Sequence, residues 1–134
     1  MDITDRVFDE KASKKHCCSQ AVVNMALTDM EADDEIRAAL VKAMGAYCGG
    51  LHEGLACGAL CGAKAALFFA EEDFDKAHDE LGPELMDWFK ERFGAWNCEE
   101  LLEGDQGRRL TLCPIIIEET YVKLYEMLED IGAV

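Results

Sequence analysis

The chain is short of positive charge: 13 Lys and Arg stand against 28 Asp and Glu in 134 residues, a formal charge of -15 at pH 7. That balance argues against nucleic acid and against an anionic membrane surface as partners, because both would repel it at ordinary salt. No apolar run reaches the ~20 residues needed to cross a bilayer. The opening MDITDRVFDEK carries charges where a signal peptide needs an apolar core, and a cytoplasmic address is the expectation. No segment sustains strand alternation between hairpin turns, and no internal repeat or low-complexity tract occurs. The acidic residues form no EF-hand loop, so they read as a solvated surface.

Half of the residues are hydrophobic, which supports a real core, and the length suits one domain over residues 1–134. Helical rhythm dominates. Residues 3 to 14 read as a short amphipathic helix with Ile3, Val7 and Phe8 on one side, and a second helix passes through Ala21, Val22, Met25 and Ala26. The third, capped by Asp33 or Asp34, carries Ile36, Ala39, Leu40, Ala43, Met44 and Tyr47 at i, i+3, i+4 spacing. Gly82-Pro83 interrupts the segment containing Phe74, Leu81, Leu85, Trp88, Phe89 and Phe93, giving two helices or one sharply kinked. Asn97 with Glu100 three residues later has the order of a capping box. Cys113-Pro114 puts proline at the first position of a last helix, whose inner stripe is Ile117, Tyr121, Leu124, Leu128 and Ile131.

The stretch Tyr47 to Phe69, YCGGLHEGLACGALCGAKAALFF, organises the rest. Its first half is a glycine-rich loop suited to positive φ. Its second half is apolar and small on every face apart from Lys64, the mark of a helix in the middle of a bundle. The expected fold is therefore all-α, a compact bundle of about six or seven helices around a central apolar helix at about 57–70.

Seven cysteines in an acidic intracellular chain suggest catalysis, redox sensing or metal binding more than a disulfide framework. Cys18, Cys57, Cys98 and Cys113 each fall at a predicted helix start. Unsatisfied N–H groups and the positive end of the helix dipole favour thiolate there. Cys17 and Cys18 are neighbours, with Cα atoms about 3.8 Å apart, too close for an unstrained disulfide, so each should have a different partner. His16 beside Lys14 and Lys15 reads as a solvated basic turn. The run Cys48-x3-His52-x4-Cys57-x3-Cys61 offers four N or S ligands at a spacing unusual for zinc.

In order, Cys18-Ser19-Gln20-Ala21-Val22, the glycine-rich loop leading to Cys57-Gly58-Ala59-Leu60-Cys61-Gly62-Ala63, Phe93-Gly94 with Asn97-Cys98 and Leu101, and Cys113-Pro114 resemble the C_GCAxxG_C_C family of redox-active proteins, over roughly residues 5 to 128. The resemblance implies a small all-helical protein whose redox role rests on the cysteines at 18, 57, 98 and 113. The chain departs from the pattern by placing Gly58 between Cys57 and Ala59, and it adds Cys17, Cys48 and Cys61.

Three functions fit these residues. One is a thiol-disulfide oxidoreductase using Cys18, Cys57, Cys98 and Cys113, with a redox partner protein and no cofactor required. The second is an electron carrier holding an iron-sulfur cluster or another thiophilic metal on those four sulfurs, or on Cys48, His52 and Cys61 with Cys57. The third is a non-catalytic helical module whose cysteines only pack.

Overall fold

The computed structural model describes residues 16–134; the helix expected over residues 3 to 14 lies outside the described residues. Helix α1, Cys18–Asp29, begins at the N-cap Cys17, whose backbone N–H donates to Gln20 Oε1 at 3.2 Å. Helix α2, Asp34–Met44, is capped by Asp33, whose Oδ1 accepts from the backbone N–H groups of Glu35 and Ile36 at 2.9 and 3.3 Å. A 3-10 turn, Gly45–Tyr47, and a wider π-type turn, Gly50–Gly54, lead to α3, Gly58–Ala70. Helix α4 covers 74–93 in three parts: Phe74–Lys76, a π-helical turn Ala77–Leu81, and Gly82–Phe93. The short α5 is Cys98–Leu101 and the long α6 is Arg109–Asp130. The fold is all-α, and among the described residues the one extended pairing is an isolated antiparallel bridge between Ala56 and Asn97.

Helix α3 packs against α1, α4 and α6, and it buries Ala59, Leu60, Ala63, Ala66 and Leu67. Its closest neighbour is α1, for a steric reason. A Cβ added at Gly62 would stand 2.6 Å from the Ser19 carbonyl oxygen, a separation that only a hydrogen atom tolerates. One added at Gly58 would lie 3.2 Å from the Tyr47 carbonyl, 3.3 Å from Ser19 N and 3.5 Å from Cys18 Cβ. These two glycines, one turn apart, let backbone pack on backbone. Helix α6 closes the other side with Ile117, Tyr121, Leu124 and Leu128, all fully buried as its stripe predicts, and the Tyr121 hydroxyl donates to Asp29 at the end of α1.

Three local expectations are corrected. Helix α2 turns Val41 and Met44 inward and leaves Ile36 46% exposed, and Tyr47, in the 3-10 turn that follows, is 39% exposed. Alanines at 39 and 43 offer little area to bury, so the larger Val41 and Met44 choose the face. The Gly82-Pro83 break is absent: the π-helical turn of residues 77–81 widens the backbone just before the ring, and the helix continues through Gly82 at φ -58°. The last helix starts at Arg109, directly after a 3-10 turn Gln106–Arg108, and Pro114 lies inside it. Its missing N–H deprives only the Leu110 carbonyl, and Leu110 is 86% exposed, so water replaces the donor.

Leu67, at 0% exposure in the central cluster, should lose about 2 to 5 kcal/mol of stability on truncation to Ala; a loss below about 1 kcal/mol in urea unfolding would place α3 at the surface. Gly62→Ala sets two effects against each other. Helix propensity gains about 1 kcal/mol, whereas overpacking against an immovable carbonyl costs about 1 to 3 kcal/mol or more. Net destabilisation is expected, and a variant more stable than wild type would show that α1 gives way freely.

Candidate functional site

The chemistry-bearing residues meet where α1, the 45–54 turns and α3 begin or end. Cys17 and Cys48 form a disulfide with Cα atoms 5.8 Å apart, across a sequence separation of 31. Ser19, fully buried, sits beneath it: its Oγ is 3.4 Å from Cys17 Sγ and 3.9 Å from Cys48 Sγ, and it donates its proton to the Met44 carbonyl at 2.7 Å. With that proton committed, the hydroxyl presents lone pairs to the sulfurs, ready to accept from a thiol once the bond is reduced. Cys17 is thus bonded to Cys48 and not to its neighbour Cys18, as the vicinal constraint requires.

Cys18 occupies the first position of α1 and Cys57 is the N-cap of α3. A Cβ on Gly58, the residue directly after Cys57, would meet the Tyr47 carbonyl, Ser19 N and Cys18 Cβ, so the residue before Cys48 and the Cys18 side chain both abut the residue after Cys57. Cys98 is joined to Cys57 by backbone. The Cys57 N–H donates to the Trp96 carbonyl at 2.8 Å and the Cys98 N–H to the Leu55 carbonyl at 2.7 Å, the two bonds that flank the Ala56–Asn97 bridge. Asn97 is the N-cap of α5, but its side-chain amide meets the Glu100 carboxylate at 3.1 Å in place of the capping-box bonds. Arg109, the first residue of α6, reaches back with Nη2 3.8 Å from Cys98 Sγ. Cys113 is half-buried one turn further along that helix, inside it and not at its start.

Between Cys48 and α3 the backbone is left-handed for four successive residues, Gly49, Gly50, Leu51 and His52, all with φ between 62 and 64°. Gly49 also lies under the Arg109 guanidinium, where a Cβ would be 3.2 Å from Nη2. Leu51 and His52 hold the same conformation at a cost of roughly 1–2 kcal/mol each, the kind of strain that marks functional loops. His52 lines an open cleft of about 370 Å³ with Arg109, Glu53 and Glu99.

The helix-start argument fails at Cys57. Its thiol is pushed up to about 12 from an ordinary 9.0, first by burial and then by the Cys18 charge, with Cys98 adding to the rise. Hydrogen bonds from the backbone at Leu60 and Ala59 act the other way, as a helix N-terminus should, and are outweighed. Burial likewise raises Cys61, with Lys64 opposing; its Sγ lies 4.0 Å from the Ala56 carbonyl. The ligand run of Cys48, His52, Cys57 and Cys61 does not assemble, since Cys48 is tied to Cys17. Among the described residues, no group of three or more His, Cys, Asp or Glu is arranged to hold a metal ion, so the residues present do not fit an iron-sulfur or zinc site in this conformation.

A family model described as "Putative redox-active protein (C_GCAxxG_C_C)" matches residues 16–127. The chain belongs to that family. No curated protein and no solved structure matches it. Of the four cysteines expected at helix starts, Cys18, Cys57 and Cys98 come together through Gly58 and the bridge, and Cys113 lies further along α6. Sequence reasoning passed over the Cys17–Cys48 bond, Ser19 and Arg109. The exclusion of a Cys17–Cys18 bond was the one available signal, and it does not name Cys48.

The Cys57 shift has a testable sign. In the folded chain Cys57 keeps its proton up to about 12, whereas unfolded it loses that proton near 9.0. Between those values the unfolded state binds fewer protons, so unfolding free energy falls as pH rises, by on the order of 4 kcal/mol across the window at 1.36 kcal/mol per unit. Urea unfolding from pH 8.5 upward should show this decline in wild type and a shallower one in Cys57→Ala; identical slopes would refute the buried-thiol account.

Proposed function

We propose that the protein is a thiol-disulfide redox protein in which an outer pair, Cys17 and Cys48, exchanges electrons with an inner pair, Cys18 and Cys57, with Cys98 and Cys113 extending the same sulfur set. What supports the reading is Gly58, the first residue of α3, whose missing Cβ lets the Tyr47 carbonyl, next to Cys48, and Cys18 Cβ come close to the residue after Cys57. The half-buried outer bond is the one an external thiol or partner protein would meet first.

A Cys18 thiolate attacks Cys48 Sγ, the Cys17–Cys48 bond breaks, and Cys17 leaves as thiolate and takes up a proton. Attack on Cys48 avoids the strained vicinal bond that attack on Cys17 would form. Cys57 then loses its proton and attacks Cys18 Sγ, releasing Cys48 as thiolate. Two thiols are oxidised and one disulfide is reduced. The Cys57 environment orders these events, because the Cys18 charge is one of the causes that hold its proton on. When Cys18 enters a disulfide that charge is gone, and ionisation of Cys57 becomes easier at the moment it is required. Ser19 accepts from the newly formed outer thiol.

Disulfide mapping after acid quenching tests the relay. Oxidising fully reduced protein with increasing amounts of a small disulfide should yield the Cys17–Cys48 and Cys18–Cys57 links in wild type. Cys57→Ser should form no second link at Cys18 other than the trapped Cys18–Cys48 species. If excess oxidant leaves Cys18 and Cys57 as thiols and produces only Cys17–Cys48, the relay is wrong.

A further inference from the structure

Beside the outer disulfide, the surface reverses the sign of the rest of the molecule. A cleft of about 440 Å³ is lined by His16, Gln20, Asn24, Arg37 and Lys42, together with Ala38 and Val41. Among the described residues, three basic side chains and two amides line it and no carboxylate does, on a chain of net charge -15. Its position is tied to the redox bond. His16 immediately precedes Cys17, and Gln20 Oε1 accepts the Cys17 N–H at 3.2 Å while Gln20 Nε2 donates to the Val41 carbonyl at 3.0 Å. Arg37 is oriented by Nη1 donating to Thr28 Oγ1 at 3.0 Å and by Nη2 at 3.1 Å from Asp34 Oδ1. The Asp34 side chain is 90% exposed, and such a surface pair is worth about 1 kcal/mol or less, so it does not cancel the site.

We infer that this cleft seats an anionic low-molecular-weight thiol, a small molecule carrying one or two carboxylates, as the reductant of the Cys17–Cys48 bond. The inference rests on the reading that this bond is exchanged. The volume is that of a small-molecule site. Arg37, Lys42 and the amides of Gln20 and Asn24 are donors suited to carboxylates. The net negative charge of the chain repels the same molecules, so the basic lining of the cleft raises their concentration there relative to the acidic surface. The chemistry is ordinary exchange. The bound thiolate attacks one sulfur of the pair to give a mixed disulfide and a protein thiolate; a second thiolate attacks the mixed disulfide, releasing the small-molecule disulfide and leaving Cys17 and Cys48 as thiols. Two electrons pass from two small thiols to the protein.

Two measurements on the full oxidised chain separate the seat from the redox reading. Succinate, which has the charge and no thiol, is titrated while the His16 ring and Cys17 amide resonances are followed by NMR. Saturable shifts in wild type that vanish in the Arg37→Gln/Lys42→Gln double variant support the cleft, and no shift in wild type overturns it. Reduction of the disulfide is then timed with mercaptosuccinate and with 2-mercaptoethanol at equal thiolate concentration and low salt. Wild type should favour the anionic thiol roughly tenfold, and the double variant should lose that preference, its rate falling much more with mercaptosuccinate than with 2-mercaptoethanol. Equal rates in wild type overturn the seat as a reductant site even where succinate binds. If neither thiol opens the bond, the exchange reading fails and the inferred reductant with it, while the succinate titration still decides whether the cleft binds an anion.

Discussion

The approach of α3 to α1 at Ser19 is the contact on which the rest depends. Two glycines at 58 and 62 remove the Cβ atoms that would strike the Ser19 backbone, and the first turns of the two helices come together. Everything placed at those first turns comes with them. Cys17 and Cys18 arrive on one helix and Cys57 on the other, and the Ser19 hydroxyl, fixed by the Met44 carbonyl, fills the space under the disulfide. Larger residues at 58 or 62 would separate the helices and disperse the sulfurs, whatever the cysteines themselves did. The Leu55–Cys98 and Cys57–Trp96 bonds do for α5 what the glycines do for α1.

Much of this was legible in the residues. An all-α fold, a central helix at 57–70 and the buried stripe of α6 follow from periodicity, because a helix's inner face is written in side chains three and four apart. The helix-start placement of Cys18, Cys57 and Cys98 was legible for the same reason. Two kinds of information were not. Burial of Cys57 is set by helices distant in sequence, so the local argument from N-terminal amides saw one cause of its acidity and missed the larger, opposing one. The Cys17–Cys48 pairing joins residues 31 apart through a turn of left-handed backbone, and no propensity scale foresees Leu51 and His52 at positive φ. Pro114 misled because its usual place at a helix start is a preference, and the missing N–H falls opposite Leu110, an exposed residue in the first turn of α6.

The left-handed run from Gly49 to His52 connects the two halves of the site. It leaves Cys48 pointing to Cys17, passes under Arg109, and returns through the bond from the Leu55 N–H to the Gly50 carbonyl at 2.9 Å. The guanidinium that rests on Gly49 also contacts Cys98 Sγ, so outer disulfide, loop and third sulfur form one continuous set of contacts.

The crosslink encloses both α1 and α2 within its loop. Tying residues 31 apart removes on the order of 3 to 4 kcal/mol of chain entropy from the unfolded ensemble, a large share of what a domain of this size has in reserve. Opening the bond therefore raises the population of unfolded molecules by two orders of magnitude or more, roughly tenfold for each 1.4 kcal/mol. Proteases act on that population. The lifetime of the polypeptide then depends on whether this one bond is closed, and turnover of the protein becomes sensitive to the thiols around it.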